Sequence, residues 1–193
     1  MLMRGAAEIS GREHGQLRQE RIGEQRRDPL DLGPDAEITG TARRLTFGWE
    51  TLRALIREPG LLALIGEHFE EIAEDRDKIP LRVQWEHYLR LDEKGILKIW
   101  VARDAGEFVG YVCWYVDQHP GSGLLYAWAA PFYLAPEYRR GLTGYHFLTS
   151  ALPELQNMGV KRVNVHEKVN SPLGILFGRA GFRLYERIHT KVL

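Results

Sequence analysis

From residue 44 onward the chain alternates short apolar stripes with polar punctuation, and the periods of those stripes predict a mixed α/β domain. Leu45-Thr46-Phe47 predicts a first strand, and Trp49 to Arg57 a short amphipathic helix stopped by Pro59-Gly60. Residues 61–75 read as a second helix. Its Leu61, Leu62, Leu64, Ile65, Phe69 and Ile72 recur at helical spacing, with Glu67, Glu70, Glu71 and Glu74 on the wet side. Trp85 to Leu91 predicts another short helix. The runs 96–102 and 108–116 flank Asp104-Ala105-Gly106 and predict an antiparallel hairpin, followed by a strand over 124–134 that ends at Ala135-Pro136. A helix is expected from the glycines at 141 and 144 to Met158, with Gly159 as its stop. Pro153 lies inside it, where a lost hydrogen bond and a clash worth about 3 kcal/mol predict a bend. A strand over 160–166, a helix over 173–179 and one or two closing strands from Phe182 onward complete the pattern.

These elements add up to an α/β (α+β) fold with a mixed, mostly antiparallel central sheet flanked by helices, occupying residues 44–193. Residues 1–43 differ in kind. They hold no Phe, Trp or Tyr and are rich in Arg, Glu, Gln and Gly, which predicts a charged N-terminal arm or extension. Such an arm suits contact with a second copy of the chain, as in a homodimer, or with a host protein.

Composition narrows the chemistry. Cys113 is the sole cysteine among 193 residues, so neither an internal disulfide nor a Cys-rich zinc site is available, and neither HExxH nor CxxC occurs. No metal is expected. No apolar run approaches the roughly 18 residues of a membrane span, and residues 1–15 lack a signal-peptide apolar region, so a cytoplasmic protein without membrane partners is expected. The formal net charge of zero removes the usual electrostatic support for nucleic-acid binding. The charge is unevenly spread, however: residues 45–137 carry −6 and residues 138–193 carry +6. A phosphorylated ligand suits the last third and a cationic one the middle, beside the plainer reading of solvated faces.

The stretch 132–148, FYLAPEYRRGLTGYHFL, carries most of the chemistry. A strand, a basic Gly-containing turn and a helix start follow one another, an order in which free amide groups and the positive helix end can hold phosphate oxygens. Arg139 and Arg140 add charge, and Gly141 and Gly144 let the main chain approach a ligand. The same pattern also fits an ordinary strand-to-helix turn. It lacks both the GxGxxG spacing and a following Gly-Lys-Ser/Thr, which speaks against Rossmann and P-loop sites.

Together, the order of elements, the turn PEYRRGLTG and the later NSPLGILFGRAGF resemble the GNAT-type N-acetyltransferases, especially their small phage-like members, over about residues 44–193. The resemblance implies acetyl-coenzyme A as acyl donor and direct transfer to an amine of a small molecule or protein. Carried over residue by residue, it implies main-chain pantetheine contacts at Leu134. It implies a pyrophosphate cradle at Arg139, Arg140, Gly141, Leu142, Thr143, Gly144 and Tyr145. Counted from Arg139, Gly144 fits the last position of the family turn and Leu142 occupies its usual middle Gly; counted from Tyr138, Gly141 fits and Thr143 replaces the last small residue. In the second block Asn170, Leu173, Leu176, Phe177, Gly181 and Phe182 fall in register with a family motif that sets a helix beside the coenzyme. The frequent Tyr of that motif, which protonates the leaving thiolate, is here Phe177. Tyr145, His166 and Tyr185 are the substitutes for acid/base work, with His166 preferred for its near-neutral titration and Glu167 as its partner or as proton acceptor. The strand 124–134 offers Tyr126 and Tyr133 but no carboxylate. Cys113 is expected to be a buried strand residue and not a nucleophile. The missing Tyr and carboxylate keep open a second reading, a GNAT-fold binding or virion-associated protein without turnover.

Overall fold

The computed structural model describes residues 45–169 and 171–192; the expected N-terminal arm and Asn170 lie outside them. Five strands, β1 (Leu45–Glu50), β2 (Leu97–Asp104), β3 (Glu107–Gln118), β4 (Leu125–Leu134) and β5 (Arg162–Val165), form one sheet in the order of the chain. The first four are antiparallel neighbours, and β5 pairs parallel with β4 through a strand–helix–strand crossover. On one face lie α1 (Leu52–Leu55), α2 (Leu61–Ile72) and α3 (Trp85–Glu93); on the other lie α4 (Thr143–Asn157) and α5 (Leu173–Arg179).

Strand alternation divides the core between those two layers. Val112, Trp114 and Val116 of β3 pack with Phe147, Leu148, Ala151 and Leu155 of α4. Tyr111, Cys113 and Tyr115, which alternate with them, turn to the face covered by Leu55, Leu61 and Leu64. The edge is fastened by Arg103 of β2. Its guanidinium bonds both carboxylate oxygens of Glu50 on β1 (2.6 and 2.8 Å) and reaches Glu58 beyond α1 (2.7 Å).

Two expectations change against the structure. The strand β1 runs on through Trp49 and Glu50, because Trp49 pairs with Trp100 in the ladder with ring centroids 4.7 Å apart. The helix α1 therefore starts only at Leu52, behind Thr51, whose hydroxyl caps it by accepting from the Ala54 N–H. No strand forms among the described residues after β5: residues 182–192 leave Leu184, Tyr185 and Ile188 at least 66% exposed. Their alternating pattern expresses a preference for a half-buried surface, and such a preference does not itself supply a pairing partner. The helix α4 contains Pro153, as expected, and runs to Asn157. Among the described residues no helix is long and apolar enough to cross a membrane.

One glycine is required by contact. Gly110 of β3 lies opposite Leu134 of β4, and a Cβ there would stand 2.8 Å from the Tyr133 carbonyl oxygen and 2.8 Å from Leu134 Cδ1. Backbone cannot move aside as a side-chain tip can, so Gly110→Ala is expected to destabilise the fold by about 1–3 kcal/mol. A thermal melt of the variant checks this; an unchanged midpoint would refute the close approach.

Candidate functional site

The sheet opens where β4 parts from β5. Their ladder covers only Tyr126–Ala129 against Arg162–Val165, so β4 continues from Ala130 to Leu134 with no described strand on its outer side. At the point of parting β4 bulges. Val112 faces Phe132 and Trp114 faces Ala129, leaving Ala130 and Pro131 opposite Cys113 alone. The extra residue reverses the alternation: Ala127 and Ala129 face the α4 layer before the bulge, and Phe132 and Leu134 do so after it. Pro131 within the predicted strand was the readable signal for this irregularity.

The bulge also sets which amides are spare. Ala135 N–H donates to the Val109 carbonyl at 2.9 Å, so the alternation of the ladder directs the N–H and C=O of Leu134 outward. Consistent with that direction, the Leu134 carbonyl accepts from Arg139 Nε at 2.6 Å.

Beyond β4 the chain makes a 3-10 turn over Pro136–Tyr138 and enters α4. The N–H groups of Tyr138 and Arg139 are used within that turn, donating to Ala135 and Pro136, and Thr143 N–H makes a long 3.4 Å bond to the Arg140 carbonyl. Among the described residues no protein acceptor engages the N–H groups of Arg140, Gly141, Leu142, Gly144 and Tyr145. Gly141 adopts φ +61° with no atom within 4 Å of where a Cβ would be, so the turn stays open on that side. Spare amides, a positive-φ glycine and the start of a 15-residue helix thus come together in one turn, an arrangement of donors suited to an anion.

The side chains divide differently. Arg139 turns to α2, pairing both terminal nitrogens with Glu71 (2.8 and 2.6 Å) while its guanidinium lies 5.1 Å from the Tyr133 ring centroid. Its charge is thus engaged with α2, whereas the neighbouring Arg140 is exposed. Gly144 is set against α5, since a Cβ there would meet Leu176 Cδ1 at 3.1 Å. Phe177, 6% exposed, belongs to the core between Phe132 and Phe182. Tyr145 is half-buried in the first turn of α4, its ring edge-on to His146.

His166 follows β5 directly and its Nδ1 lies 3.1 Å from the Ala129 carbonyl, the last paired residue of β4. A carbonyl only accepts, so Nδ1 donates in this contact and Nε2 is the ring nitrogen turned away from Ala129. The ring therefore stands at the mouth of the opening between the strands. Glu167 turns to α5, where its Oε2 sits 2.5 Å from the place a Gly174 Cβ would take. Tyr185 lies under the Arg162 guanidinium, 4.9 Å from ring centroid to carbon.

On the opposite face, a cavity of about 340 Å³ lies between α2, α3 and the sheet, with Pro131 of the bulge among its walls. His68 lines it, 5% exposed, with Nδ1 2.9 Å from the Tyr111 hydroxyl and its ring stacked on Tyr133 at 4.8 Å. Burial lowers its pKa from 6.5 to about 4, with Glu71 opposing and Arg139 reinforcing the shift. The sequence reading passed over His68, although Leu64 and Ile72 at i−4 and i+4 put a lone polar residue on the apolar stripe. Cys113 lines the same cavity, and burial pushes its thiol up to about 12, which leaves it protonated and a poor nucleophile.

The fold recurs in solved acetyltransferases. An aminoglycoside acetyltransferase from an uncultured soil metagenomic sample, in complex with sisomicin, superposes with TM-score 0.61 at 17% identity, over 77% of this chain and 95% of its own. The ribosomal-protein-alanine N-acetyltransferase of Brucella melitensis biovar Abortus 2308 gives 0.58 at 14%, over 78% and 99%. A predicted acetyltransferase with acetyl-CoA from Clostridium acetobutylicum gives 0.58 at 12%, over 77% and 96%. At such identities the likeness is one of fold. No curated protein matches the sequence. The sequence model of the acetyltransferase (GNAT) family matches residues 59–182, a span that takes in most of the cavity lining, the bulge, the unengaged amides of 140–145 and His166 and exceeds half of the chain. The chain therefore belongs to the acetyltransferase (GNAT) family.

Proposed function

We propose that this protein is an acetyl-coenzyme-A-dependent N-acetyltransferase that passes the acetyl group directly to an amine. The observation that carries the reading is the set of unengaged amides from Arg140 to Tyr145 at the start of α4, next to the outward edge of β4. When bound, acetyl-coenzyme A supplies an activated thioester. The amides of Arg140, Gly141, Leu142, Gly144 and Tyr145 hold its diphosphate, and Arg140 adds a cation at the rim. The main chain of β4 after the bulge holds the pantetheine, and the Leu134 N–H donates to the carbonyl oxygen as negative charge develops there.

Proton traffic falls to the side chains near the opening. His166, held through Nδ1 by Ala129, offers Nε2 to take the proton of the attacking amine. Phe177 has no proton to give and is sealed in the core, so Tyr145 in the first turn of α4 is assigned to the departing thiolate. Glu167, packed on α5, supports that helix and stands back from the reaction.

Calorimetric titration with acetyl-coenzyme A, followed by mass spectrometry of an amine panel, tests the reading. Binding with an added mass of one acetyl group on an amine is the expected result. Binding without transfer would move the chain to the reading of a coenzyme-binding protein without turnover, and absence of binding would overturn both.

A further inference from the structure

We propose that the acceptor is a primary amine carried on an apolar body, seated in the cavity between α2, α3 and the sheet. This rests on the acetyltransferase reading and names the substrate class that the acceptor side admits.

The lining decides the chemistry. Ile65 and Phe69 of α2, Tyr88 of α3, and Ile99, Phe108 and Tyr111 of the sheet supply mostly hydrocarbon and aromatic surface. Among the described residues no Asp or Glu lines the cavity; its polar residues include His68, Arg82, Gln84 and His87. The nearest acids along α2 are occupied: Glu67 accepts from the Tyr133 hydroxyl at 3.3 Å, and Glu71 is paired with Arg139. The −6 charge of the middle third therefore lies outside the cavity. A polycation entering it would shed water, meet no counter-charge and face Arg82, which is costly in a low-dielectric site.

An amine with a single nitrogen on an apolar body meets the opposite conditions. Its body covers apolar surface, and removal of the nitrogen from water favours the neutral form that attack requires. The cavity also ends in the right place. Pro131 is one of its walls and belongs to the bulge where β4 parts from β5, so the seat and the outward strand edge meet at one residue. Its volume of about 340 Å³ falls at the small end of the roughly 300–1,000 Å³ range for small-molecule sites.

The test compares kcat/KM for 2-phenylethylamine and hexylamine with that for sisomicin and for a peptide beginning in alanine. The apolar amines are expected to exceed both others at least 20-fold. Filling the cavity with Ile65→Trp, or at its loop wall with Val83→Trp, is expected to raise KM for 2-phenylethylamine about tenfold while the Kd of acetyl-coenzyme A stays unchanged. Preference for sisomicin or the peptide, or an unchanged KM in both folded variants, overturns the proposal. Should the wild-type protein fail to bind acetyl-coenzyme A, the functional reading fails separately. Direct calorimetric titration of 2-phenylethylamine into the wild type and the two variants then decides the seat alone, with binding only in the wild type expected and equal or absent binding overturning it.

Discussion

Leu142→Asp is expected to weaken acetyl-coenzyme A binding at least 100-fold while leaving the melting temperature unchanged or raised. Leu142 is 51% exposed and immediately precedes α4, among the unengaged amides. A carboxylate at that place faces the positive end of the helix, an arrangement worth about 0.3–1 kcal/mol in favour of the fold. Toward a diphosphate it acts with the opposite sign. Two like charges about 5 Å apart at an effective dielectric near 20 repel by roughly 3 kcal/mol, which is more than a hundredfold in affinity. The two effects diverge, so the variant separates an anion cradle from an ordinary strand-to-helix turn. Calorimetry together with a thermal melt reads both. A variant that binds acetyl-coenzyme A as tightly as the wild type would show that the diphosphate lies elsewhere.

Arg139→Ala probes the same turn less cleanly, because Arg139 does two structural things at once. It ties Glu71 of α2 to the chain after β4 and it occupies the Leu134 carbonyl. This division could not be read from the sequence. In PEYRRGLTG two adjacent arginines look equivalent, and only the placement of α2 across the sheet gives one of them a carboxylate to pair with. The run of unengaged amides was legible, since a strand, a Gly-containing turn and a helix start determine where amides go unpaired. The layer order was legible too, from stripes such as Leu61, Leu64 and Ile65 and from the β2–β3 hairpin. The bulge was harder. Pro131 marks an irregularity in the strand pattern through 124–134, but the change of face there emerges only when β3 supplies a register. At the C-terminus the error ran the other way: Phe182, Leu184 and Ile188 suggest strands, yet a local pattern alone does not fix pairing.

His68 carries the second large effect, on stability as a function of pH. Its folded pKa of about 4 lies below the 6.5 of an exposed histidine, chiefly because burial disfavours the cation. The unfolded chain thus binds the proton first. The stabilising contribution is fully present above about pH 6.5, is lost as pH falls toward 4, and levels off below that, when both states are protonated. A displacement of this size corresponds to a change on the order of 3 kcal/mol. His68→Gln keeps a polar partner for the Tyr111 hydroxyl but does not titrate, so its unfolding free energy is expected to fall less between pH 7.5 and 4.5 by about 2–3 kcal/mol. Carboxylates such as Glu50 and Glu58, held by Arg103, are present in both proteins and cancel in the comparison. Urea denaturation at the two pH values measures the difference, and parallel losses in both proteins would show that His68 is not held neutral. The same neutrality matters at the acceptor cavity. A charged imidazole there would sit in the field of the Arg139 guanidinium and bring a cation to the wall, whereas the neutral ring stacks on Tyr133 and keeps the lining suited to an apolar body.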